Sequence, residues 1–233
     1  MSYFPENKIS HFITRLPIPI ELKGEWEVGM VELVYPHTWY NINQQNNLFG
    51  YEIGGGLRVG RRLPPGCYET VPDILKAIYV KEHNDRIFTS YNAVTKRVQF
   101  KVKNAKVILD DGLAQILGFE PTEITSHDVN IETVVESPYV ADPATHYHVL
   151  MVYTDIVESQ VIGDVLAPLL RVVRVRGQDG EMISEQYDRP HYLPVNRKII
   201  ETLEIVIRTH AGDLTPFERG RSYVKLHFRQ RSL

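Results

Sequence analysis

The chain has 233 residues, 43% hydrophobic and 24% charged, with a formal net charge of -3. This composition excludes disordered and collagen-like classes and any bulk electrostatic attraction to nucleic acid or anionic membrane, and it suffices for a sizeable core in one domain over residues 1–233. A single cysteine, Cys67, excludes an intrachain disulfide or a multi-cysteine zinc site and suits a reducing compartment. Residues 1–8 form a polar, extended segment without the apolar core of a signal peptide, and no apolar run approaches the roughly 20 residues of a membrane span.

From Ile9 the side chains alternate until Leu16-Pro17-Ile18-Pro19-Ile20, which predicts an edge strand running into a bend, because proline cannot donate to a central ladder. Residues 26–35 predict a long central strand that becomes apolar on both faces towards its end. A polar, asparagine-rich loop follows at 36–47, then a strand at 48–53, a bend at Gly54-Gly55-Gly56 and a further extended piece to Tyr68. Helical spacing of Val71, Ile74, Leu75, Ile78 and Tyr79 predicts an amphipathic helix over 70–82, with Thr70 and Asp73 at its start.

Residues 86–91 and 97–103 read as a hairpin with Val98, Phe100 and Val102 on one face. A second short helix is expected over 111–117, with Gly118 placed for a left-handed C-terminal cap. Residues 120–145 read as a long surface excursion with one short strand near 131–135. Four more strands are expected at 146–157, 168–175, 199–208 and 222–229. The total of eight to ten strands with two short helices predicts a mainly β fold, an antiparallel two-sheet β-sandwich of single jelly-roll or Greek-key type.

Chemistry is sparse. His146 and His148, at i and i+2 of an expected strand, are placed to share a metal in a cupin-like way, yet Val152, Tyr153 and Val140 stand where that motif needs glutamate and glycine. Gly54 to Gly56 are not followed by Gly-Lys-Ser/Thr or a helix, so a phosphate loop is not expected. Asp110, Asp111, Glu132, Glu136 and Asp142 read as capping or solvated carboxylates rather than an acid/base pair. The basic runs at 58–62 and 171–176 place cations along strands, the common pattern of solvated faces. No catalytic, cofactor or metal residue is therefore assigned.

Several ordered blocks carry a resemblance. Phe4-Pro5-Glu6-Asn7, Phe12-Ile13-Thr14-Arg15-Leu16-Pro17, Leu22-Lys23-Gly24-Glu25-Trp26-Glu27-Val28-Gly29 and Tyr35-Pro36-His37-Thr38-Trp39-Tyr40-Asn41 are similar to the minor capsid (penton) protein of Polinton (Maverick) elements and the related adintoviruses. Tyr153 to Val157, Val161 to Asp164, Leu169 to Arg171, Pro190 to Val195, and Gly220 with Leu226 to Arg229 extend the similarity, whereas 120–145 carries no match. The resemblance implies a non-enzymatic single jelly roll that forms homopentamers at the fivefold vertices of an icosahedral capsid. Its partners would be a double-jelly-roll major capsid protein and, at the vertex, a fibre or host receptor. It also implies residence in the virion after synthesis in the host cytoplasm or nucleus, with no membrane insertion and no specific nucleic-acid binding. The alternative is a β-sandwich module that binds carbohydrate or a receptor. The loops at 36–47 and 120–145 are the candidate contact surfaces.

Overall fold

The structure is a computed structural model that describes residues 4–231, so residues 1–3 of the expected N-terminal segment lie outside the described residues. The chain packs as two compact units, one formed by Met1–Trp39 with His146–Leu233 and the other by Tyr40–Thr145. Each has its own cluster of buried side chains.

The first unit opens with β1 (His11–Glu21) and β2 (Trp26–Pro36). The second unit follows with β3 (Leu48–Ile53), β4 (Val59–Arg62), α1 (Val71–Ile78), a 3-10 turn at Lys81–His83, β5 (Ile87–Asn92), β6 (Arg97–Val102), β7 (Ala105–Leu109), α2 (Asp111–Ile116), β8 (Thr122–Ser126) and β9 (Thr133–Glu136). The chain then returns to the first unit as β10 (Val149–Thr154), β11 (Gln160–Ile162), β12 (Val165–Ala167), β13 (Leu169–Arg174), β14 (Met182–Gln186), β15 (Leu193–Pro194), β16 (Ile199–Thr209) and β17 (Tyr223–Gln230).

In the first unit one antiparallel sheet runs β1-β16-β10-β13, and a second is built on β2, which pairs with β17 along one edge and with β14 and β15 along the other. β1 is an edge strand, as its prolines predict, and its register against β16 shifts between Arg15 and Ile20, where Pro17 and Pro19 interrupt donation. The side chain of Asn7 closes part of its free edge: its Nδ2 donates to Ile13 O and its Oδ1 accepts from Ile13 N, at 2.8 and 2.9 Å.

The apolar residues on both parities of β2 have a specific cause. β17 pairs Lys225 with Glu32 but Leu226 with Met30, so Val31 is an extra residue and the inward parity changes there. Val28 and Met30 before this bulge, and Leu33 and Tyr35 after it, all bury fully against Leu150, Val152, Ile205 and Ile207 of the facing sheet. The strand is central, but only one face is core.

The second unit has sheets β4-β3-β7-β8 and β5-β6-β9. Val98, Phe100 and Val102 alternate into the core as predicted, and the Phe100 ring lies 6.5 Å from Phe49 and 5.7 Å from Phe119. Burying each such side chain contributes about 1.5–3 kcal/mol. α1 starts at the Thr70 cap, whose side chain accepts the Asp73 N–H, and buries Val71, Ile74, Leu75 and Ile78. It stops at Ile78 rather than 82, because Tyr79 leaves helical geometry (φ -51°, ψ 123°) and Val80 turns into the core. The excursion at 120–145 carries two strands, β8 and β9; β8 is tied to β7 with Ile124 inward.

Candidate assembly surfaces

The structure removes the premise of a strand-borne histidine pair. β10 begins only at Val149, so His146 and His148 lie in the turn before it; their i, i+2 spacing does not place them on one sheet face. The His146 ring stacks with that of His210, 6.3 Å away. Among the described residues no group of three histidine, cysteine, aspartate or glutamate side chains is arranged to hold a metal ion. Gly54 and Gly55 turn with positive φ between β3 and β4, as a bend requires.

Asp110, Asp111 and most cations of the two basic runs are engaged locally. Asp110 meets Arg58 at 3.4 Å, and Asp111 accepts from Gln115 Nε2 at 2.9 Å. Arg61 donates to Tyr79 O and Arg62 to Asn47 Oδ1. In the second basic run, Arg171 stacks 3.5 Å over the Tyr187 ring and Arg176 approaches Glu185 at 3.7 Å. Burial raises the phenol pKa values of Tyr187, Tyr147 and Tyr35; the Tyr35 hydroxyl accepts the Arg176 N–H at 3.3 Å, which partly opposes the shift. No described helix is long and apolar enough to cross a membrane.

The two outer faces of the first unit differ chemically. On the β2 sheet, Gln186, Glu32 and Lys225 form one cross-strand row, and Glu27 faces Arg229 in another. Arg229 pairs with Glu27 at 2.9 Å and lies 3.6 Å over the Tyr192 ring, while the Tyr192 hydroxyl meets His227 Nδ1 at 2.9 Å. A Cβ on Gly29 would come within 2.9 Å of His191 O, so only glycine lets the 190–192 segment cross β2 here. This is a self-paired polar face.

The opposite sheet presents apolar side chains outward. β10 buries Leu150 and Val152, which places Val149, Met151 and Tyr153 on the outer face. The register aligns Arg208, Met151 and Val172 in one row, Val206, Tyr153 and Leu169 in the next, and Val149 beside Arg174. A solvated face of an antiparallel sheet ordinarily alternates to polar residues. The signal was present in the sequence, because Val149-Leu150-Met151-Val152-Tyr153 is apolar at both parities. Next to this sheet, β11 and β12 form a hairpin closed by Gly163-Asp164, and its directly paired Val161 and Leu166 are 76% and 72% exposed. Gln160 Nε2 anchors the hairpin to Leu169 O at 2.8 Å.

Of the two loops singled out from sequence, the structure makes one largely interior. Over 36–47, Pro36, Thr38, Trp39, Asn41, Ile42 and Asn47 are buried. Asn41 Nδ2 donates to Tyr68 O and Pro143 O, and Asn47 Nδ2 donates to Leu63 O, so these asparagines satisfy buried backbone rather than offer contacts. The other, 120–145, exposes Val129, Ile131, Val134, Tyr139 and Val140. Val134 stands in an outward cross-strand row with Lys101 and the exposed Phe88, and Glu136 follows in the next row beside Gln99 and Ser90. Residues 120–145 contain six carboxylates and no lysine or arginine.

No family model matches the chain, and no curated protein matches its sequence. Among solved structures, the chain is similar to the crystal structure of the mavirus penton protein, with a TM-score of 0.50 over 94% of this chain and 90% of that one at 10% identity. The likeness is one of fold: mainly β, antiparallel, of jelly-roll type, with few short helices.

Proposed function

We propose that the chain is a structural, non-enzymatic penton-type capsid protein of a Polinton-like or adintovirus-like element. The likeness in fold to the mavirus penton protein extends over nearly the whole of both chains, and this observation carries the reading. Five copies form a ring at each fivefold vertex of an icosahedral shell, beside a double-jelly-roll major capsid protein. The protein is made in the host cytoplasm or nucleus and resides in the virion. A sandwich suits this work because two packed sheets form a rigid block whose unpaired faces contact neighbours while loops vary at its ends.

The surface chemistry supports the same reading. An apolar outer sheet face and an exposed Val161–Leu166 pair are features of a buried interface, whereas the buried polar groups described above serve local structure. Co-expression with a double-jelly-roll major capsid protein tests the proposal: the chain is expected in purified particles at five copies per vertex. Particles that assemble and exclude it would overturn the assignment.

A further inference from the structure

Resting on that reading, we infer that neighbouring copies in the ring join by strand addition: the β11-β12 hairpin of one copy docks on the free edge of β5 in the next and seats Leu166 in the groove between that edge and α1. A closed ring needs two different, complementary surfaces on every subunit. These two match in main chain and in apolar surface, the two components of strand addition.

The receiving surface belongs to the second unit, where β5 is the edge strand of its sheet. Lys103 N donates to Arg86 O at 2.8 Å, so the alternation of an antiparallel pair makes Phe88, Ser90 and Asn92 the residues that bond β6. The main-chain N–H and C=O groups of Thr89 and Tyr91 therefore point to the open side, and they make no hydrogen bond among the described residues. β1, by contrast, screens its edge with Pro17, Pro19 and the Asn7 side chain. Beside the bare edge of β5 lies an open groove of about 430 Å³, walled by Pro72, Leu75 and Tyr79 on one side and by Thr89 to Tyr91 on the other. Thr89 and Tyr91 share the parity of Ile87, which is buried with the apolar residues of α1, so their side chains lie on the α1 side of the sheet. A residue added opposite either of them points the same way, into the groove.

The docking element belongs to the first unit. The two-residue loop Gly163-Asp164 makes Ile162 and Val165 the hydrogen-bonded closing pair of the hairpin. Val161 and Leu166 are then a non-hydrogen-bonded pair whose N–H and C=O groups face outward along the two hairpin edges. β12 is the more open strand, with Val165 and Leu166 both exposed, whereas only Val161 is exposed on β11. Leu166 thus combines a free donor, a free acceptor and an exposed apolar side chain, the set that a residue opposite Thr89 or Tyr91 requires. The charges agree: Lys76 is the only charged residue lining the groove, and Asp164 is the only one on the hairpin. Lys76 also meets Asp73 at 3.1 Å, but that pair is exposed and easily exchanged. Beyond Tyr79 the chain balances Lys81 and Arg86 against Glu82 and Asp85, so main chain and apolar anchor carry the contact.

The test uses two substitutions in the full chain, read by native mass spectrometry and sedimentation. Leu166→Lys removes the anchor at a position too exposed to disturb the fold. Thr89→Pro removes the outward N–H without deleting a bond between β5 and β6, as an edge strand allows. Each is expected to weaken ring formation by roughly thirtyfold or more, the loss of one interface hot spot, and melting curves of the same samples separate this from misfolding. A ring that survives Leu166→Lys overturns the hairpin as the docking element. A ring broken by Leu166→Lys but left intact by Thr89→Pro overturns the β5 edge as its receiver. Either result leaves the penton reading standing, whereas a wild-type chain that stays monomeric overturns both.

Discussion

Gly118 joins the end of α2 to the excursion at 120–145, and Gly118→Ala perturbs that joint in two independent ways. The residue has φ +80°, and a Cβ there would lie 2.4 Å from Tyr139 O and 3.0 Å from Ala141 N. A left-handed conformation costs an L-residue about 1–2 kcal/mol. Overpacking adds roughly 1–3 kcal/mol, towards the upper end here because the obstacle is backbone. The backbone is also committed: Tyr139 N donates to Gly118 O at 3.0 Å, Ala141 N to Lys96 O at 2.8 Å, and Asp142 N to Ile116 O at 2.8 Å. The substitution is therefore expected to destabilise the second unit by about 2–5 kcal/mol. Urea unfolding would read the total, and amide exchange at Tyr139, Ala141 and Asp142 would locate it. A change below about 0.5 kcal/mol, the scale of an ordinary surface substitution, would refute the reasoning.

Phe100→Ala should destabilise the second unit by about 3–5 kcal/mol, because the ring is fully buried between Phe49 and Phe119; amide exchange would show lost protection in β5, β6 and β9. Asn7→Ala should cost about 1 kcal/mol and unprotect the Ile13 amide, since the Asn7 side chain bonds both the N–H and the carbonyl of Ile13 on that edge; exchange at Ile13 checks it. The first unit should lose stability in alkali. Tyr35, Tyr147 and Tyr187 have folded pKa values above the ordinary 10.0, so their contribution is complete below that pH and is lost as pH rises towards the folded values, where the unfolded chain binds fewer protons. Denaturation midpoints measured alongside phenolate absorbance would show the two changes together.

What the sequence made legible followed local rules. The prolines of β1, the Thr70 cap, the inward parity of Val98, Phe100 and Val102, and the cap at Gly118 each depend on neighbours a few residues away. What it hid depended on partners far along the chain. β8 has only Ile124 deeply buried among its apolar positions and is recognisable only by its pairing with β7. The bulge at Val31 depends on how β17 returns almost two hundred residues later, so two-sided apolarity in β2 resembled a strand buried on both faces. The Pro36 to Asn47 loop looked solvent-exposed because asparagine is polar, yet Asn41 and Asn47 are consumed by interior backbone groups. His146 and His148 seemed to share a face only because β10 was expected to begin three residues early. Of the candidate surfaces, the Val161 to Leu166 hairpin had a readable signal, a Gly-Asp pair between β-branched residues, and the outward row of Met151 and Val172 emerges only from the sheet registers.

The most direct measurement is the native mass of the purified full chain, combined with electron microscopy of the same sample. The proposed role predicts a closed ring of five subunits. A strictly monomeric chain at high concentration, or an open-ended filament in place of a ring, would contradict the account.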